Sequence, residues 1–135
     1  MAAESIVVDT HALLWWLGDR SRLSAKARRA IDAATSIAVS SVTFWEVGMM
    51  AAKGRIELDR PVVRWTHDLV ASGEVVDVPL SATVAASAST IEDFHGDPAD
   101  RFIVATALAL GSPLVTKDRV VRLWARSSGR LRVAW

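Results

Sequence analysis

Short apolar runs alternate with amphipathic segments along the chain, and this pattern predicts β-strands that alternate with α-helices. Several of the runs are rich in β-branched residues, as is typical of strands buried on both faces of a parallel sheet. The strands are expected at residues 5–8, 37–39, 75–78 and 113–116, with a fifth at 131–133. We therefore predict an α/β fold, a single domain over residues 1–135 whose mostly parallel sheet of four or five strands is flanked by helices.

The helices are predicted from apolar residues at helical spacing and from residues that favour helix ends. Thr10 is expected to cap the first helix, Ser24 begins the second, and Ser40 or Ser41 is expected to cap the third. Glycine follows several of these segments, as it does at many helix C-termini. The predicted helices cover residues 10–16, 24–34, 41–53, 61–72 and 80–91, and a sixth begins at Asp97.

The segment 94–107 contains the clearest helix start in the sequence. Asp97 occupies the N-cap position, and Pro98 follows at the first helical position, where its missing N–H removes no hydrogen bond. Asp100 falls in the first turn, close to the partial positive charge of the helix N-terminus. The residues after Arg101 are almost all apolar, so this helix is predicted to be buried.

Four acidic residues occur where side chains from different elements can meet. Asp9 and Asp118 each follow a buried strand. Glu46 lies in the second turn of the helix after the second strand, and Asp100 lies in the first turn of the buried helix. Ligands of parallel α/β sheets bind beyond the carboxyl ends of the strands, so we expect these carboxylates to converge there. Each acid alone is also explained as a helix cap or a surface residue, and it is their shared placement that indicates a site.

Carboxylates gathered in one pocket repel one another and have raised pKa values unless a cation neutralises them. The chain has no Cys and no pair of His residues at helical spacing, which favours Mg²⁺ or Mn²⁺ over Zn²⁺. Such a metal lowers the pKa of a bound water and screens the attacked phosphate and the leaving oxygen. Beside a basic surface, this arrangement indicates hydrolysis of phosphodiester bonds.

Composition indicates a folded protein and is consistent with a reducing compartment. Hydrophobic residues make up 51% of the chain and the mean hydropathy is +0.26, which excludes disorder as the main state. The absence of Cys fits a compartment where disulfides do not form. No basic segment precedes the first apolar run, and no apolar stretch approaches the roughly 20 residues of a membrane span. We therefore expect a soluble, cytoplasmic protein without a membrane partner.

The net charge of +1 conceals two basic clusters. Residues 117–135 include six basic side chains and one acid, and residues 20–29 include five basic side chains. Clustered Arg suits contacts with phosphate, and polyanions are bound largely through such charge. Each cluster is also consistent with a solvent-exposed helix face.

Four segments together resemble a PIN-domain protein of the VapC toxin type. They are Asp9-Thr10-His11 and residues 41–46, 95–107 and 114–118, in the family's order and spacing over essentially the whole chain. The resemblance implies a PIN-like fold and a Mg²⁺-dependent endoribonuclease, with Mn²⁺ as a possible substitute. It implies the toxin of a type II toxin–antitoxin system, in which a metal-activated water hydrolyses RNA.

The same resemblance assigns site residues and partners. The residues that match the family's acidic quartet, expected to be catalytic and metal-binding, are Asp9, Glu46, Asp100 and Asp118. Asp97 and Thr116 are expected to lie beside the quartet in supporting roles. The implied partners are an RNA substrate, a second copy of the chain, and a small antitoxin from the neighbouring gene whose C-terminal arm occludes the active site.

Other side chains near the quartet have expected roles of their own. Arg101 and the basic residues of 117–126 are expected to contact RNA at the rim of the site, because the acids repel phosphate. Trp15, Trp16 and Trp45 are expected mainly in the core. Adjacent side chains cannot point the same way on a helix, so one of Trp15 and Trp16 is expected to face solvent or the antitoxin.

Two other classes of protein are alternatives. A receiver-like signalling module is also a single α/β domain with an Asp near the first strand and a late Lys, here Lys117. It requires a phosphorylatable Asp at the end of the middle strand, where this chain has Ser40 and Ser41. A non-catalytic binding protein would use its acids only as helix caps, and metal binding separates it from the enzyme.

Overall fold

Five parallel strands form the central sheet, in the order β3-β2-β1-β4-β5. The structure is a computed structural model that describes residues 4–135, so residues 1–3 of the predicted domain lie outside the described part. The strands are β1 (Ile6–Val8), β2 (Ile37–Ser40), β3 (Val76–Val78), β4 (Leu114–Val115) and β5 (Val133–Ala134). Every neighbouring pair is parallel, which confirms the predicted α/β class.

The strand order reverses beside β1. The chain runs from β1 outward through β2 to β3, then returns to place β4 and β5 on the other side of β1. Val7 pairs with Leu114 and Val8 with Val115, so β1 and β4 end side by side. The residues that follow these strands therefore emerge together at the switch point, where ligands bind in sheets of this kind.

Helices flank the sheet. They are α1 (Thr10–Leu17), α2 (Ala25–Ala33), α3 (Ser41–Ala52), α4 (Val62–Ala71), α5 (Ala82–Ser89), α6 (Pro98–Leu110) and α7 (Arg119–Ser128), with a 3₁₀ turn at Arg20–Arg22 between the first two. The cap predicted for α1 was wrong by one residue, because Asp9, still extended at the end of β1, accepts the N–H of Ala12 at 2.8 Å. No helix within residues 4–135 has the length and apolar character needed to cross a membrane.

Helix α7 was not predicted. Its buried side, formed by Val121, Trp124 and Ala125, is narrow, and the remaining positions carry mainly Arg and Ser. Asp118 caps its first turn. The fifth strand also differs from the predicted 131–133, because the two residues of β4 pair with Val133 and Ala134.

The core lies on both faces of the sheet because side chains alternate along each strand. Val7 points to the face covered by apolar residues of α5, α6 and α7. Ile6 and Val8 point to the other face, where they pack with apolar residues of α1 and α2. This double burial fixes the ends of β1 and β4, and with them the residues that follow.

Helix α6 begins as the sequence predicts. Asp97 Oδ1 accepts the N–H of Asp100 at 2.9 Å, and most of residues 103–107 are fully buried. The preceding loop packs tightly, because a Cβ at Gly96 would lie 2.4 Å from the ring of Phe94. The loop therefore requires glycine at this position, directly before the cap of the helix.

Candidate active site

An open cleft of about 500 Å³ lies at the carboxyl ends of β1 and β4. It is lined by all four acids of the predicted quartet and by Asp97. The other lining residues are Thr10, His11, Trp15, Arg22, Ile103 and Lys117. The fold therefore brings five carboxylates from four different parts of the chain to one space.

Asp9 and Asp118 are joined through one buried hydroxyl. Thr116, which follows β4, donates from Oγ1 to Asp9 Oδ2 at 2.5 Å. The same Oγ1 accepts the N–H of Asp118 at 3.0 Å. Because Thr116 is only 1% exposed, it holds these two acidic residues in a fixed relation at the ends of neighbouring strands.

Glu46 is oriented by the start of α1. The buried Thr10 donates from Oγ1 to Glu46 Oε1 at 2.5 Å. Thr10 Oγ1 also lies 3.2 Å from Thr43 Oγ1. The contact ties α3 to α1 at the mouth of the cleft. The sequence assigned Thr10 a role only as a helix cap, and its place in the Asp9-Thr10-His11 segment was the available signal for a role in the site.

Burial and neighbouring charges shift the pKa values of three of these acids. Burial first, and then the nearby charges of Asp97, Asp118 and Glu46, raise the pKa of Asp100 to about 8. Burial also raises the pKa of Asp9, although the hydrogen bond from Thr116 opposes the shift. The pKa of Glu46 is raised by burial against the hydrogen bond from Thr10. Without a cation, the cleft therefore retains protons at a pH where exposed carboxylates have lost theirs.

The donor set suits a hard divalent cation. Within residues 4–135, no group of three or more His, Asp or Glu side chains is arranged as a preformed metal cage. Mg²⁺ does not require one, because it keeps several waters and is commonly bound through one or two carboxylates. An open cleft lined by carboxylates whose charged forms are disfavoured fits Mg²⁺ or Mn²⁺.

Two cations stand at the rim beside the acids. Arg22 lies in the 3₁₀ turn after α1, with its guanidinium carbon 4.9 Å from the centre of the Trp15 ring. The Nζ atom of Lys117 lies 5.8 Å from the same centre. Sequence analysis placed these cations in separate clusters, and no local pattern indicates that they share one aromatic ring. Together with Trp15 they form the cationic rim.

Arg101 does not belong to this rim, contrary to the sequence-based expectation. Its guanidinium donates to the carbonyl oxygens of Ala88 and Phe94 at 2.8 and 2.7 Å, and to that of Ile91 at 3.3 Å. These oxygens belong to the end of α5 and to the loop before α6. Arg101 is thus committed to holding that loop.

The tryptophans also differ from expectation. Trp45 is 60% exposed, so its predicted core position was wrong. It lines a second hollow of about 300 Å³ with Met49 and Lys53, and this hollow shares Glu46 with the acidic cleft. Trp15 and Trp16 are each half-buried, and neither is fully turned to solvent. The difference at Trp45 arises because α3 is apolar nearly all round, so its pattern does not indicate which side faces inward.

The family is shown by the match of residues 6–126 to the PIN domain. The chain belongs to the PIN-domain family, among the proteins of the VapC type. It is 40% identical over 119 residues to Ribonuclease VapC22 of Mycobacterium tuberculosis (strain ATCC 25618 / H37Rv), covering 87% of this chain and 90% of that protein. The resemblance drawn from the four segments is thereby confirmed.

Solved structures share the fold at low sequence identity. VapBC2 from Rickettsia felis, bound to a DNA fragment from its promoter, has a TM-score of 0.64 with 12% identity over 96% of each chain. FitAcB from Neisseria gonorrhoeae has a TM-score of 0.63 with 19% identity over 96% of each chain. A toxin–antitoxin complex from Klebsiella pneumoniae has a TM-score of 0.59 with 20% identity over 87% of each chain. At these identities the likeness concerns the fold alone.

Proposed function

We propose that this protein is a divalent-metal-dependent endoribonuclease and the toxin of a toxin–antitoxin pair. The observation that carries the proposal is the gathering of five carboxylates, three of them with raised pKa values, in one cleft at the switch point of the sheet. The 40% identity to a protein named as a ribonuclease supports the same reaction class.

The residues that would hold Mg²⁺ or Mn²⁺ are Asp9, Glu46, Asp100 and Asp118. A bound cation would supply a water of lowered pKa and neutralise charge on the attacked phosphate. Thr116 keeps Asp9 and Asp118 oriented, and Thr10 does the same for Glu46. Asp100 would lose its proton when a cation is bound, because its raised pKa results partly from neighbouring acids whose charge the cation would offset.

The cationic rim would offset the repulsion between the RNA phosphates and the acids of the cleft. Phosphate is repelled by Asp100 and Asp118, so positive charge is needed where the strand enters. Arg22 and Lys117 supply that charge at the edge of the same cleft. The face of Trp15 adds a surface on which a base can stack.

The proposal includes partners and a place of action. The partners are a small antitoxin encoded by the neighbouring gene, whose C-terminal arm covers the cleft, and a second copy of the chain. Trp45 and Met49 are 60% and 38% exposed and offer an apolar surface for the second copy. We place the action in the cytoplasm, where RNA and a newly made antitoxin are both present.

A non-catalytic binding protein is the second candidate, because three of the acids do cap helices. Asp9, Asp97 and Asp118 accept N–H groups at the starts of α1, α6 and α7. Glu46 and Asp100, however, cap nothing in the described helices and carry raised pKa values in the cleft. Capping therefore accounts for three of the acids, whereas the enzyme also gives Glu46 and Asp100 a role.

Cleavage of single-stranded RNA by the purified protein tests the proposal. We expect cleavage in Mg²⁺ or Mn²⁺, loss of cleavage in EDTA, and recovery when the cation is restored. Glu46→Gln should reduce the rate at least about 100-fold, whereas Glu57→Gln, an exposed control, should not change it. Cleavage that persists in EDTA, or in the Glu46→Gln variant, would refute the metal-dependent mechanism.

A further inference from the structure

A second basic site lies beside the acidic cleft. A hollow of about 280 Å³ between α2, α7 and β5 is lined by Lys26, Arg122 and Arg126. The other lining residues are Ala125, Leu131, Val133 and Trp135, so none of the lining side chains is acidic. In the part of the chain that the structure describes, none of the three cations forms an ion pair. This group of three cations is the distal basic site.

The fold assembles this site from both basic clusters of the sequence. Lys26 comes from α2, and Arg122 and Arg126 come from α7. Helix α2 packs against β4 and β5 on one face of the sheet and α7 covers the other face, so the hollow that both helices line spans the edge strand β5. Cations gathered without a partner repel one another, and a bound polyanion would relieve that repulsion.

Two tryptophans connect the distal basic site with the acidic cleft. Trp135 lines the distal site, and its ring centre lies 5.8 Å from that of Trp15, which lines the cleft. Arg122 of the distal basic site also contacts the cationic rim, because its Nη1 lies 3.4 Å from the carbonyl oxygen of Lys117. From the cleft outward, the surface thus presents the cationic rim, two neighbouring aromatic rings and the distal basic site.

We propose that the distal basic site binds the backbone of single-stranded RNA several nucleotides from the bond held in the acidic cleft. The identity of this polyanion rests on the proposed function. Grooves for single-stranded nucleic acid combine cations that contact the backbone with aromatic faces on which bases stack. This surface has both kinds of group, one after the other from the cleft outward. Continuity with the cleft favours RNA over an acidic protein segment, since the strand must leave the cleft along some surface.

Anisotropy with fluorescein-labelled 2′-O-methyl oligouridylates of about 4 and about 16 nucleotides tests the proposal. These probes resist cleavage, so their binding can be measured with the unaltered active site and with Mg²⁺ present. The variant Lys26→Ala/Arg126→Ala removes two exposed cations, and Arg28→Ala/Arg29→Ala removes two exposed cations that do not line the hollow. The two variants have equal net charge and each changes α2, at Lys26 or at Arg28 and Arg29, so they separate position from charge.

We expect the Lys26/Arg126 variant to bind the long probe about tenfold more weakly and to lower its salt slope by about 1.4, at about 0.7 per lost phosphate contact. The affinity for the short probe should stay unchanged, and so should the rate at which unmodified RNA of the same short length is cleaved. The Arg28/Arg29 variant should behave like wild type. Equal losses in both variants, or an unchanged slope, would overturn the proposal. If the Lys26/Arg126 variant lost affinity only for an oligoglutamate probe, measured in the same way, the proposal would be overturned in favour of an acidic protein partner. If wild-type protein neither binds nor cleaves RNA, the proposed function itself fails, which is a distinct result.

Discussion

Thr116 donates its hydroxyl proton to Asp9 at 2.5 Å, across the boundary between β4 and β1. We predict that Thr116→Val weakens Mn²⁺ binding about 10- to 100-fold, because the valine cannot orient Asp9 or accept the N–H of Asp118. Calorimetric titration with Mn²⁺ measures the effect. Thr106→Val is the matched control, since Thr106 is equally buried but donates to the carbonyl oxygen of Phe102 within α6. Equal affinities in the two variants would exclude an orienting role for Thr116.

Asp100 and Asp97 should differ in their effect on catalysis. We expect Asp100→Asn nearly to abolish RNA cleavage with the fold intact, because it removes a half-buried carboxylate from the proposed metal site. Asp97→Asn should retain much of the activity, because Asn also accepts the N–H of Asp100 and caps α6. Initial cleavage rates, with circular dichroism as the check on folding, compare the two. A similar loss in both would assign Asp97 to the catalytic set.

The pH dependence of stability without metal follows from Asp100. Its pKa is about 8 in the folded protein against an ordinary value of 3.8, so the folded state holds a proton that the unfolded state has lost. The free energy of unfolding in EDTA should therefore fall as pH rises from about 4 to about 8. We expect the Tm to drop by a few degrees over this range, and by less in Asp100→Asn. Asp32→Asn, at an exposed site, should keep the wild-type slope.

Asp118 combines a cap with a charge in the cleft. Its Oδ1 accepts the N–H of Val121 at 2.9 Å, and Asn can make the same bond. In EDTA, Asp118→Asn should be at least as stable as wild type, by up to about 1 kcal/mol, because repulsion is relieved. Asp118→Ala should lose about 1 kcal/mol relative to Asp118→Asn, since the cap is gone. Thermal melts in EDTA measure both, and a clear loss in Asp118→Asn would make this residue mainly structural.

Arg101 should affect stability and leave RNA affinity unchanged. Arg101→Ala removes the donor to three carbonyl oxygens and should cost about 2 kcal/mol in the free energy of unfolding. Urea denaturation measures the cost, and RNA titrations in increasing salt report the contacts. The folded variant should keep the wild-type salt slope. A flatter slope at unchanged stability would return Arg101 to the RNA-binding surface.

The features that the sequence predicts correctly depend on short-range rules. The start of α6 was predicted because the cap at Asp97 and the first turn at Asp100 involve residues three apart. Asp9 and Asp118 were predicted to meet because parallel strands end at one edge, whatever the details of packing.

The features that the sequence did not predict depend on long-range packing. Arg22 and Lys117 share the ring of Trp15 because the turn after α1 packs back against that helix, while Lys117 reaches the same ring from the end of β4. Arg101 differs from its expected role because its carbonyl partners belong to α5 and a loop, whose positions no local pattern gives. Helix α7 is an exception, because Val121, Trp124 and Ala125 lie at helical spacing after the cap at Asp118, so a local pattern for this helix was present in the sequence.

The use of the cleft acids as helix caps has a consequence for how such proteins diverge. At Asp9 and Asp118, the carboxylate that lines the cleft also closes the first turn of a helix. Asn, Ser or Thr can perform the second task without the first. A gene duplicate can therefore lose its chemistry by one substitution while keeping its shape, and its product would still engage the ancestral binding partners as a decoy.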